Sequence, residues 1–78
     1  MTQLLNPIAA TTMTIIINGE PKRVAAGMTI AALVADIGLN PKKVAVEHNM
    51  DIAPRSTLAN VLLQDGDVLE IVHFVGGG

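Results

Sequence analysis

The chain contains no cysteine, which excludes disulfides and thiolate metal sites. It has no tryptophan and no tyrosine, and its one aromatic residue is Phe74. Five Lys and Arg face seven Asp and Glu, for a formal net charge of −2. Single-strand nucleic-acid platforms need basic grooves and stacking rings, and duplex binders need a basic face. This composition supplies neither, so no nucleic-acid partner is expected and another protein is favoured. Apolar residues make up 50 % of the chain but come in short pieces. None approaches the roughly 18–20 consecutive apolar residues of a membrane span. No Lys or Arg precedes Lys22, which argues against the basic opening of a secretory signal. His48 and His73 are isolated from each other and make no closed metal site, so no metal and no bound cofactor are expected.

What is present fits one small domain with a modest core. Residues 1–12, MTQLLNPIAATT, have no sustained period and read as a flexible extension, with Met13 an alternative first residue. Met13 to Asn18 is β-branched and apolar, and Asn18-Gly19 is a strong hairpin signal. Glu20 to Ala25 returns as a second strand, with Pro21 near its start. Thr29 is placed to cap a helix. Behind it, Ile30, Leu33, Val34 and Ile37 form the i, i+3, i+4, i+7 stripe of an amphipathic helix of about nine residues. Gly38 suits the left-handed cap and Pro41 stops the helix.

Val44–His48 and Ile52-Ala53 read as two further strands around a turn at Asn49–Asp51. Arg55–Gln64 is ambiguous, with Leu58, Val61 and Leu62 placed for a short helical turn under the sheet. Asp65 and Asp67 flank Gly66 in a turn, where Asp suits the local backbone, and a last strand runs Asp67–Val75. This order predicts an α+β fold, a mixed four- to five-stranded sheet with one main helix across one face. If the first and last strands lie side by side in the centre, the layout is a β-grasp.

The end of the chain is its most informative stretch. Strand alternation puts Leu69, Ile71 and His73 on one face and Val68, Glu70, Val72 and Phe74 on the other. A lone glutamate is rarely buried, so the second face is expected to meet solvent. Val72 and Phe74 then form an exposed apolar pair suited to docking a partner, unless Phe74 packs on the sheet edge. Gly76, Gly77 and Gly78 follow. Three glycines do not order alone, yet they can pass through a slot too narrow for a side chain. His73 reads as a surface residue and Lys42, Lys43 and Arg55 as solvated charges, with Arg55 able to meet an acidic partner surface. No nucleophile–base set is present, so an enzyme is not expected.

Several stretches together resemble one family. They are Ile17-Asn18-Gly19-Glu20, Thr29-Ile30-Ala31-Ala32-Leu33, Val44-Ala45-Val46-Glu47-His48-Asn49, Pro54-Arg55-Ser56, and above all Leu63 to Gly78 with its Asp65-Gly66-Asp67 turn and glycine end. In these the chain resembles the ubiquitin-like β-grasp sulfur carriers of bacteria, most closely those of thiamine biosynthesis (ThiS), from Met13 to Gly78. Two places depart from that pattern: Leu58 stands where the family usually has a bulky aromatic, and there are three terminal glycines where two suffice.

The resemblance implies a domain over 13–75, a flexible tail over 76–78 and a cytoplasmic protein. It also implies that the Gly78 carboxylate is the reactive group. An E1-like adenylyltransferase of the ThiF type would use ATP to adenylate it, and a sulfur-donating enzyme would supply sulfur for a thiocarboxylate. A thiazole synthase of the ThiG type would then receive the sulfur. A sister carrier, such as the small subunit of molybdopterin synthase, is the near alternative. A non-catalytic ubiquitin-like interaction module or modifier is the more distant one.

Overall fold

Asn18 and Gly19 have φ of 50° and 86°, the left-handed pair that a two-residue type I′ hairpin requires. They join β1 (Thr12–Ile17) to β2 (Glu20–Ala25) in antiparallel register, with Ile17 opposite Glu20. The computed structural model describes residues 11–74. Pro21 lies in β2, an edge strand, where a missing backbone donor is tolerated.

The helix α1 (Ile30–Asp36) starts at Thr29, whose Oγ1 accepts the Ala32 N–H at 3.0 Å. It ends in a Schellman closure: the Leu39 N–H reaches the Val34 carbonyl and the Gly38 N–H the Ala35 carbonyl, with Gly38 at φ 92°. At seven residues it is shorter than the sequence suggested, because Ile37 already serves as the C-cap. Ile30, Leu33 and Val34 are buried and Ile37 is half-buried, so the expected stripe is the buried one.

A 3-10 turn at Pro41–Lys43 leads into β3 (Val44–His48). β4 (Asp51–Ala53) pairs back on β3 across an Asn49-Met50 turn, and β5 (Val68–His73) closes the fold. The sheet order is β2-β1-β5-β3-β4, with β1 and β5 parallel and the other pairs antiparallel. The first and last strands are therefore central neighbours, the condition for a β-grasp. The helix covers one face. Met13, Ile15, Val44, Val46, Leu69 and Ile71 project from the sheet into a core shared with Ile30, Leu33 and Val34.

The connection from Arg55 to Gln64 departs from expectation. Only Arg55–Thr57 is helical, as one 3-10 turn. Leu58 is buried, but Leu62 is 55 % exposed and Leu63 takes the core position at 4 %. Past residue 60 the backbone runs beside the helix start: Leu62 bridges Thr29, and the Leu63 N–H reaches the Met28 carbonyl at 2.9 Å. Extended backbone alternates sides, so of two adjacent leucines only one can enter the core.

Candidate functional site

β5 leads towards the glycines, and both of its flanks are anchored. Gly76, Gly77 and Gly78 lie outside the described residues, as does Val75. On one side β5 pairs with β3 from Leu69 opposite His48 to His73 opposite Val44. This ladder continues through Phe74, whose N–H reaches the Lys43 carbonyl at 2.8 Å. On the other side β1 pairs only at Ile16–Val68 and Ile17–Leu69 before turning away. The Asn18 side chain extends that flank. Its Oδ1 accepts the Ile71 N–H at 2.7 Å and its Nδ2 donates to the Ile71 carbonyl at 3.1 Å. One amide thus replaces a strand residue.

The start of β5 is held by Asp67, the buried acidic residue of the described chain. Its carboxylate accepts from the Gln64 N–H at 2.9 Å, His48 Nε2 at 2.8 Å and Asn49 Nδ2 at 3.0 Å. Asn49 in turn pairs with the Val68 backbone, its Oδ1 accepting the Val68 N–H at 2.9 Å and its N–H reaching the Val68 carbonyl at 2.8 Å. Burial pushes the Asp67 carboxyl up, but the Gln64, His48 and Asn49 hydrogen bonds and the His48 charge together hold it below the usual carboxylate range. Asp65 accepts the Thr14 N–H at 2.8 Å. The local reading of these two aspartates is therefore incomplete: both tie the turn to distant strands.

The outer sheet face carries the expected exposed pair. Leu69 and Ile71 are buried, whereas Val68, Glu70, Val72 and Phe74 meet solvent, with Val72 60 % and Phe74 45 % exposed. The Arg55 guanidinium lies 5.6 Å from the Phe74 ring centroid and donates from Nη1 to the Lys42 carbonyl at 3.0 Å. Arg55 thus steadies the point where β5 ends. Beside this lies a groove of about 320 Å³, lined in part by Ala45, Glu47, Ile52, Arg55, Glu70 and Val72.

His73 is exposed, and His48 serves Asp67. Among the described residues no three His, Asp or Glu side chains group as metal ligands. What the arrangement can do chemically is present a strand end and an apolar face to another molecule. Sequence reasoning missed Asn18, Asp67, Ile52 and the stacking role of Arg55. Asn-Gly signalled its turn, but nothing in its spacing pointed to Ile71.

Comparison with known proteins finds relatives in sequence and in fold. The model of the ThiS family matches residues 15–78. The Bacillus subtilis sulfur carrier protein ThiS is 50 % identical over 50 residues, covering 64 % of this chain and 76 % of that protein. A thiazole synthase from Paramagnetospirillum magneticum is 50 % identical over 66 residues, covering 85 % of this chain. The chain spans about a fifth of the length of the thiazole synthases it matches. Among solved structures, the thiamine biosynthesis protein ThiS from Geobacter metallireducens superposes with a TM-score of 0.71. It is 29 % identical, covering 85 % of this chain and all of that one.

Proposed function

This chain belongs to the ThiS family of thiamine-biosynthesis sulfur carriers, with their ubiquitin-like β-grasp fold, and from that premise we propose that Gly78 carries the sulfur as a terminal thiocarboxylate. A carboxylate is a poor electrophile and must first be activated. An E1-like adenylyltransferase joins it to AMP from ATP, releasing pyrophosphate. The outer sulfur of a donor enzyme's cysteine persulfide then attacks the acyl carbon and expels AMP. A second thiol of the partners cleaves the resulting acyl disulfide, leaving a disulfide between the two thiols and, on Gly78, the thiocarboxylate. Its sulfur is a soft nucleophile, delivered to a thiazole synthase in the cytoplasm. The chain is the co-substrate in each step, and orienting and polarising the reacting atoms falls to the partners' pockets.

The observation that carries this reading is the family match, which runs through residue 78 and so includes Gly76, Gly77 and Gly78. The fold is consistent with it. A strand paired on both sides precedes the tail in sequence, and Val72 and Phe74 are exposed near its end, which supports reading them as docking residues. No side chain of this protein is assigned a catalytic role.

The test is intact-mass spectrometry after incubation with the activating enzyme, ATP and a sulfur donor. The expected result is the mass gain of one oxygen replaced by sulfur, located on the last peptide. Removal of Gly77 and Gly78 abolishes that gain and leaves the fold unchanged. A truncated form that still supports thiazole synthesis overturns the reading.

A further inference from the structure

One rung of the outer sheet face opposes two acids. Glu47 on β3 and Glu70 on β5 are direct antiparallel partners, both exposed, and both line the groove. Opposed residues of an antiparallel pair share a face with their Cβ atoms about 5 Å apart, where like charges destabilise the sheet. Neither acid has a cation within ion-pair distance among the described residues; the ion pair found there joins His48 to Asp67. Arg55 lines the same groove, but its guanidinium is turned to Phe74 and Lys42.

The rung is framed by aliphatic groups. Ile52, 79 % exposed, is the cross-strand partner of Glu47 on its other side, and Val72 lies next along the face from Glu70. Folding gains from neither feature. Together they complement a surface that offers a cation set among apolar side chains. A guanidinium fits best, because its planar fork can bond two carboxylates at once.

We propose that this groove docks the chain onto thiazole synthase, with an Arg or Lys of that partner seated between Glu47 and Glu70 and apolar side chains over Ile52 and Val72. The inference rests on the sulfur-carrier reading above. Charge complementarity defines the occupant's chemistry. The choice of thiazole synthase follows from the relative in which a domain half identical to this chain forms a fifth of a thiazole synthase.

The experiment uses the full chain, the variants Glu47→Gln, Glu70→Gln and their double, and the thiazole synthase of the same organism. Thermal unfolding of each free carrier is recorded, together with its affinity for thiazole synthase at low and high salt. Each variant is expected to be at least as thermostable as the parent. Each is also expected to bind about tenfold or more weakly, with a flatter salt dependence. A purely structural role moves stability and leaves affinity alone.

Equal binding by the double variant overturns the proposal, as does a loss confined to the activating enzyme or a parent chain that does not bind thiazole synthase. Thiocarboxylate formation on the parent chain separates the two readings. If it is absent, the sulfur-carrier reading fails; if it is present with any of those results, the docking surface alone fails.

Discussion

Asn18 and Ile71 are 53 residues apart in sequence and joined by two hydrogen bonds, the Asn18 amide both accepting from and donating to the Ile71 backbone. The same Asn18 holds φ 50° at the head of the hairpin turn. A single residue therefore reverses the chain between β1 and β2 and continues the ladder on β5 where β1 has left it.

Asn18→Gly keeps the turn, because glycine accepts the positive φ, and removes both side-chain bonds. At about 0.5–1.5 kcal/mol per hydrogen bond, the loss is about 1–3 kcal/mol. Asn18→Asp places a carboxylate oxygen against the Ile71 carbonyl and costs more. Denaturant unfolding measures both, and amide exchange at Ile71 rises in each while that of Leu33 in the helix follows global stability.

Asp67 makes stability depend on acid pH. Its folded-state pKa lies below the ordinary value of 3.8, so its contribution is fully present above that value and disappears as pH falls through the folded one. Asp67→Asn is expected to be less stable than the parent at pH 7, with the gap narrowing as the pH falls below 3.8 and through the lowered folded-state value. A gap that stays constant from neutral to acid pH contradicts the assignment. Urea unfolding midpoints across that range decide it.

Met50 stands at φ 75° without being glycine, and its side chain is 89 % exposed. A left-handed conformation costs an L-residue roughly 1–2 kcal/mol, and nothing buried offsets it. Met50→Gly is expected to recover part of this, offset by the greater freedom of glycine in the unfolded chain. A net gain of about 0.5 kcal/mol raises Tm by a few degrees in a domain of this size, which calorimetry can resolve.

Leu58→Ala and Leu62→Ala separate the two leucines of the loop. Leu58 is 2 % exposed and its truncation is expected to cost about 2–5 kcal/mol; Leu62 is 55 % exposed, and its truncation falls within about 0.5 kcal/mol. Equal losses would mean that Leu62 packs in the core after all.

Phe74→Ser removes an exposed ring and its contact with Arg55, so stability is expected to change by less than about 1 kcal/mol. Under the proposed function the same change slows thiocarboxylate formation about tenfold through a higher KM, as loss of one interface anchor does. Steady-state kinetics with the activating enzyme reads this directly.

Where a signal is local, the amino-acid sequence was sufficient. Asn18-Gly19 sets a two-residue turn because both residues tolerate positive φ. Thr29, the Ile30–Leu33–Val34 stripe and Gly38 delimit a helix because capping and periodicity act within a few residues. The two faces of β5 follow from alternation and one glutamate, which left Val72 and Phe74 outside the core. The sulfur-carrier reading rested on a family pattern ending in the three glycines, a stretch that extends beyond the described residues.

Tertiary structure decided what depends on register. That Asn18 meets Ile71, that Asp67 holds His48 and Asn49, and that Glu47 stands opposite Glu70 are pairings between distant segments. Shifting one strand by two residues would preserve every buried face and change each of those partners. Leu62 and Leu63 illustrate the same limit at short range: helical spacing selects Leu62, but the backbone there is not helical, and Leu63 is the one buried. Only the bridge to Thr29 settles which of them turns inward.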